Sequence, residues 1–229
     1  TGSSSEVFTK TGATPFVNVT RANCRSYGSA KGTGWRMVDV ATWGALQMLY
    51  LVEFADWNSQ SVLGKGWNTG SLGSVGGTDS ALYHTLKVDG AHNQYRYVED
   101  MYSYVFNFVD GFVASSRVAY VGTDPTKYGD TVNGLTNTGV TMPNGSSYIN
   151  EFACNDKYDF MFLPLTTGGS ASTYVSDYVY TTGSSGCALF VGGDYKDDNR
   201  SGVFCFDSIY NASDKYDGLS SRLLYEESV

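Results

Sequence analysis

The sequence predicts an α+β domain: two helices packed on short, mostly antiparallel β-sheets joined by long irregular loops. Three observations lead there. Apolar side chains recur at helical spacing over Val40, Trp43, Leu46, Tyr50 and Phe54, and again over Val98, Met101 or Tyr102, Val105 and Phe108 or Val109. Between and after them, brief apolar runs are bounded by Gly, Thr, Asn and Ser, as short strands are. The composition is also globular, loop-rich and β-leaning, with 27 Gly, 18 Tyr, 15% aromatic and only 17% charged residues.

Phe16-Val17-Asn18-Val19 alternates apolar and polar and reads as an opening strand, followed by a small, polar loop from Cys24 to Gly34. Asp39 stands where the N-cap of the first helix belongs, and that helix runs to Phe54. Leu49, Leu51 and Val52 fill further faces, so the helix is expected to be buried on most sides. Residues 64–77 form a Gly-rich surface loop whose glycines miss the dinucleotide fingerprint by one residue. Tyr83 to Val88 reads as a strand, and the second helix ends at Gly111. Val118–Val121 is a strand, 122–147 an irregular excursion, and Tyr158–Pro164 and Tyr174–Tyr180 are strands around a Thr/Gly/Ser turn.

A chain of 229 residues holds one large domain or two small ones, and with no repeat and no compositional break one is expected. Residues 1–20 read as a lead-in with the first strand, continuing a longer chain, and 21–229 as the domain. A net charge of −8 without a Lys/Arg cluster argues against nucleic acid or an anionic membrane as partner. No run of eighteen apolar residues supports membrane insertion. Cys24, Cys154, Cys187 and Cys205 lie far apart without a C-x-x-C pair, which disfavours a zinc site; buried free thiols are expected, with pairing left open.

Hydrolytic chemistry has little to build on. The histidines are His84, inside an expected strand, and His92, and there is no G-x-S-x-G, H-E-x-x-H or P-loop. Glu53 with Asp56, and Glu99 with Asp100, lie on or beside expected helices, where caps and ion pairs are their ordinary use. Asp197-x-Asn199-x-Ser201-Gly202 begins like a calcium loop but has Ser208 where the bidentate Glu belongs. No cofactor, no metal and no enzymatic activity are expected.

The C-terminal segment 188–225 is the distinctive part. Strand Ala188–Val191 runs into Gly192-Gly193 and a polar run from Asp194 to Gly202. Strand Val203–Phe206, a polar and aromatic run from Asp207 to Asp217, and a closing strand Arg222-Leu223-Leu224 follow. The landmarks Gly192-Gly193, Gly202-Val203-Phe204 and Ser221-Arg222-Leu223 resemble those of the variable proteins of diversity-generating retroelements. Trp43–Gln47, Phe54–Gln60 and Val109-Asp110-Gly111 resemble phage and prophage members of the group. Around Glu99–Tyr104 this chain lacks the family's Trp-Gly-Asn step, and Ser220 and Ser221 replace its usual small residues.

The resemblance implies a C-type-lectin fold of the formylglycine-generating-enzyme subclass, with 188–225 as a variable ligand-display segment on a phage tail or bacterial surface. It implies a cell-surface protein or glycan receptor as partner, and a homo-oligomer (a trimer) where the chain is a tail component. The expected ligand-binding residues are Asp194, Tyr195, Asp197, Asp198, Asn199, Asp207, Ile209, Tyr210, Asp214 and Tyr216. The residue types support the same use independently: Tyr gives contact area at low entropic cost, and Asp, Asn and Ser give adaptable hydrogen bonding. In that family template adenines are randomised, and between Asp194 and Asp217 only Lys196 and Lys215 fall outside what a mutated AAC codon can encode. A non-diversified structural or adhesive tail domain is the alternative. The oxidase branch is disfavoured, because no cysteine follows Gly193 until Cys205, inside an expected strand.

Overall fold

A computed structural model describes residues 2–3, 6–7, 12–74, 83–85, 87–154 and 156–227. In chain order, β1 (Gly2–Ser3) and β2 (Glu6–Val7) pair with each other and precede α1 (Arg21–Ser29), β3 (Trp35–Met37), α2 (Val40–Phe54) and α3 (Ser59–Leu63). The strands β4 (Gln94–Tyr95), β5 (Val98–Glu99), β6 (Phe106–Ser115), β7 (Val118–Val121), β8 (Thr136–Thr141) and β9 (Gly145–Ala153) follow. The chain continues through β10 (Leu163–Thr167), β11 (Tyr178–Thr181), β12 (Ser185–Val191), β13 (Phe206–Ser208), β14 (Leu219–Ser221) and β15 (Leu223–Tyr225).

One large sheet dominates, in the order β10-β9-β11-β13-β12-β6-β7-β8, with β14 alongside the first residues of β6. Its end strands β8 and β10 approach each other, so the eight-strand path is nearly closed and barrel-like. With 33% strand and 17% helix, the molecule is mostly sheet. The expected α+β arrangement, two helices on short sheets in a C-type-lectin fold, is therefore overturned.

The second expected helix is the main source of that error. Residues 98–109 form β5, an irregular link and the start of β6. Nine of the ten residues of β6 are buried, so the strand is apolar on both faces and its spacing satisfies a helical template by default. Asp100 and Ser103 have positive φ, 53° and 62°, which a helix does not allow. Conversely, the polar loop expected after Cys24 is largely α1, started by a capping box in which Thr20 and Asn23 satisfy each other's backbone N–H groups. Phe16–Val19 is irregular and no opening strand forms there.

The helix α2 has the expected bounds and cap: Asp39 Oδ1 accepts Thr42 N–H at 2.9 Å. It buries Trp43, Gln47 and Tyr50 but leaves Met48, Leu49 and Val52 exposed, so it is not covered on most sides. The 83–88 stretch contributes only a bridge between His84 and Tyr95, and its Leu86 lies outside the described residues, as do 75–77 of the Gly-rich loop. The 122–147 excursion contains β8 and the start of β9. Residues 158–162 are turn and irregular backbone before β10, 174–177 precede β11, and 203–205 precede β13, so those strands start later than expected.

Two apolar cores flank the sheet. Trp43 and Tyr50 of α2 meet Val109, Phe112, Leu189, Phe204 and Phe206 in the larger. Phe106, Phe108, Phe190, Cys205 and Leu219 form the smaller, against Cys24 of α1. The thiols are free; Cys24, Cys187 and Cys205 are buried as expected, whereas Cys154 is exposed.

Candidate functional site

Strand β12 ends at Val191, and the chain must then turn sharply across the sheet edge. Gly192 and Gly193 make that turn with φ of 95° and 81°. A side chain at either would press on the Met101 carbonyl or on Ser201, which is why the step is Gly-Gly. The polar run then returns to β13 through residues 202–205. Here Asp177, wholly buried, accepts the Phe204 N–H at 2.7 Å, and Gly202 leaves room for its carboxyl group. Burial pushes the Asp177 carboxyl up to about 8, against the backbone N–H groups of Phe204 and Cys205, which lower it.

The expected binding residues divide into two sets. Asp194, Tyr195, Asp197 and Asp207 are buried, contrary to a direct contact role for them. Asp197 ties the loop together: its Oδ2 accepts Asp194 N–H at 3.0 Å, and its Oδ1 accepts the Tyr180 hydroxyl at 2.7 Å and Arg200 Nη2 at 3.2 Å. Asp194 Oδ1 accepts Lys196 N–H at 2.8 Å. The Tyr195 hydroxyl donates to Asp217 at 3.0 Å, while Lys196 Nζ lies 4.6 Å above the Tyr195 ring and 3.2 Å from Asp217 Oδ1. Asp207, in β13, accepts Ile209 N–H at 3.0 Å. These aspartates are buried because the loop needs internal acceptors for its own N–H groups.

Asp198, Asn199 and Tyr210 are exposed, and Ile209, Asp214 and Tyr216 are half-buried. The Tyr210 and Tyr216 rings lie 6.0 Å apart, and Tyr210 stands edge-on to Phe190 at 6.1 Å. Burial raises the Tyr216 hydroxyl, and the nearby Asp207, Asp194 and Asp197 raise it further. Burial likewise pushes Asp207 up to about 8 and Asp194 up to about 6, with neighbouring aspartates adding to both. The two C-terminal loops thus converge on one acidic and aromatic surface.

A third segment completes it. The Gly-rich loop docks on the first: Asn68 Nδ2 donates to Asp198 Oδ1 at 2.9 Å, Lys65 Nζ lies 3.4 Å from the same oxygen, and Gly70 N–H donates to the Tyr195 carbonyl. Sequence reasoning missed Asp177, Tyr180 and Asp217 as well as this wall. Tyr180 and Asp217 stand at the edges of stretches the sequence singles out, but their pairing spans distant positions and leaves no local signal.

The other candidates are structural. His84 sits edge-on to Phe54, and Glu53 accepts from Tyr95 and Arg96. His92 is buried against Asp100 at 2.7 Å and stacked under Trp67 at 4.5 Å. His92, Glu99 and Asp100 are the group among the described residues whose ligand atoms, all within 4.8 Å, could hold a metal. The half-buried Arg222 guanidinium, hydrogen-bonded to the Asp100 carbonyl, places a positive charge beside that group and opposes a cation there.

Fold and surface together define a class: a mostly-β protein whose nearly closed sheet carries an acidic, tyrosine-bearing loop face. No protein-family model matches the chain, and no curated protein matches it significantly.

Proposed function

We propose that this chain is a ligand-display domain: a hypervariable receptor-binding module of a phage tail or bacterial surface, diversified by retroelement mutagenesis. The observation that carries the reading is the joining of 194–200 to 209–217, through Tyr195 and Lys196 to Asp217, on a hydrogen-bonded frame, with Tyr210, Asp198 and Asn199 exposed. Rigid scaffolds that present their binding residues on loops are the usual architecture of binding sites. Tyr210 and Tyr216 supply anchor chemistry, Asp198, Asn199 and Asp214 supply specificity, and the buried aspartates hold the loops in place. The partner is a cell-surface protein or glycan. Binding of the intact chain to a glycan array and to bacterial surfaces tests this directly, and silence in both screens would remove the display role. In the gene, positions 198, 199, 210, 214 and 216 should carry codons ending in C, with a near-identical template nearby.

The alternative, a non-diversified adhesive or structural tail domain, draws support from the same buried aspartates, since a segment free to vary would lose them. Sequences of sibling isolates separate the two. Display predicts substitutions concentrated at 198, 199, 210, 214 and 216, with 194, 197 and 207 held; a structural domain predicts no such concentration.

A further inference from the structure

An open groove of about 360 Å³ lies between α1, β3 and the turn that follows β7, and uses none of the loop-face residues. Its walls carry Arg25 and Arg36. Each arginine is held by one buried carboxylate and met by one exposed one. Arg25 is bidentate to Asp110, 5% exposed, with both contacts at 2.7 Å, and its Nη1 lies 2.6 Å from Asp130, 40% exposed. Arg36 pairs with Asp39, 3% exposed, and its Nη2 lies 2.7 Å from Glu226, 66% exposed. Asp39 is itself fixed as the α2 cap and as acceptor of the Tyr128 hydroxyl at 3.1 Å.

The buried partners orient both guanidinium planes, and Nη2 of Arg36 is the position held by an exposed carboxylate alone. Glu226 is a different matter, because surface ion pairs contribute little. A ligand carboxylate can take the position of the Glu226 carboxylate on Arg36, the exposed Glu226 side chain turning into solvent. A phosphate dianion would add negative charge beside Asp39, Asp110 and Asp130 and is disfavoured. The rest of the lining offers the Ser26 hydroxyl and the Ser29 hydroxyl oxygen, the latter as an acceptor because it donates to the Arg25 and Ser26 carbonyls, and apolar surface from Met37 and Pro125. The volume is that of a small-ligand site.

We propose that this groove binds an acidic monosaccharide, its carboxylate taking the place of Glu226 on Arg36 and its hydroxyls meeting Ser26 and Ser29. The test is calorimetric titration of the full chain and of Glu226→Ala with glucuronate, glucose, acetate and inorganic phosphate. Only the Glu226 side chain is exchanged, since its backbone N–H to the Gly34 carbonyl survives the substitution. Glucuronate should bind, and more tightly than glucose or acetate, each of which offers half of the recognition. Glu226→Ala should tighten glucuronate by about two- to fivefold, the range a surface ion pair is worth, with melting unchanged. The double variant Ser26→Ala/Ser29→Ala should weaken glucuronate and leave acetate unaffected. Glucose binding equal to glucuronate, phosphate binding tighter than glucuronate, or no glucuronate binding by Glu226→Ala at tens of millimolar would each overturn the proposal.

Discussion

Asp207 carries a proton that an ordinary surface aspartate would have lost. It is buried in β13 beside other carboxylates, and its value is pushed up to about 8, as is that of Asp177 under the 202–205 turn. The direction of the consequence follows from linkage. Both values are raised above the ordinary aspartate value of 3.8, so the stability these groups contribute is complete below about that pH and is lost as pH rises through about 8. The melting temperature should therefore fall between pH 5 and pH 9, and Asp207→Asn should flatten part of that fall. A pH profile identical to that of the parent would show that Asp207 does not titrate in this window. Asp207→Ala should also lower stability by about 1–3 kcal/mol, because Ile209 N–H loses its acceptor. An aspartate in a polar loop sequence would ordinarily be a neutral site to change; burial makes this one otherwise.

Elements here are pinned by a few tertiary contacts. The 202–205 turn is gripped from both sides: Gln47 Nε2 donates to the Val203 carbonyl at 2.9 Å, the Ser59 hydroxyl accepts Val203 N–H at 3.0 Å, and Asp177 accepts Phe204 N–H. Gly202 has no room for a side chain against Asp177, so Gly202→Ala should destabilise by about 1–3 kcal/mol, measured by urea unfolding. A methyl group at Gly183 would meet nothing within 4 Å, so Gly183→Ala serves as the control; equal losses would show that the Asp177 contact is not the cause, since a Gly→Ala change by itself lowers the entropy of the unfolded chain and stabilises. On α2, Trp43→Ala should cost about 3–5 kcal/mol, as a large core deletion does. Val52, 83% exposed on the same helix, should tolerate alanine within about 0.5 kcal/mol.

For the whole molecule, the frame and the loop face should be separable. Binding energy concentrates in a few aromatic anchors, and Tyr210, 40% exposed, is the tyrosine of the loop face best placed to act as one. With a ligand in hand, Tyr210→Ala should weaken binding at least about tenfold, roughly 1.4 kcal/mol, at constant melting temperature. Tyr195→Ala should instead lower the melting temperature, since its hydroxyl and ring are engaged with Asp217 and Lys196. If Tyr210→Ala binds like the parent, the contact surface lies elsewhere on the molecule.

What the amino-acid sequence determined by itself was local. The α2 helix, with its Asp39 cap, followed from spacing and capping chemistry that act within a few residues. Strand β7 and the Gly-Gly turn were legible for the same reason, one from a short apolar run, the other from a backbone that only glycine adopts readily. Which way the 98–109 stretch would fold was not legible, because a strand buried on both faces and a buried helix have the same apolar density. Its pairing with β12, β7 and β14 decided the matter. The same holds at the loop face. Its residue types were evident, but which aspartates would face a ligand and which would be drawn inward depended on partners such as Tyr180, Asp217 and Asn68. Those partners lie apart from the aspartates in the chain, and only the packing of β11 and the neighbouring loops brings them within hydrogen-bonding distance.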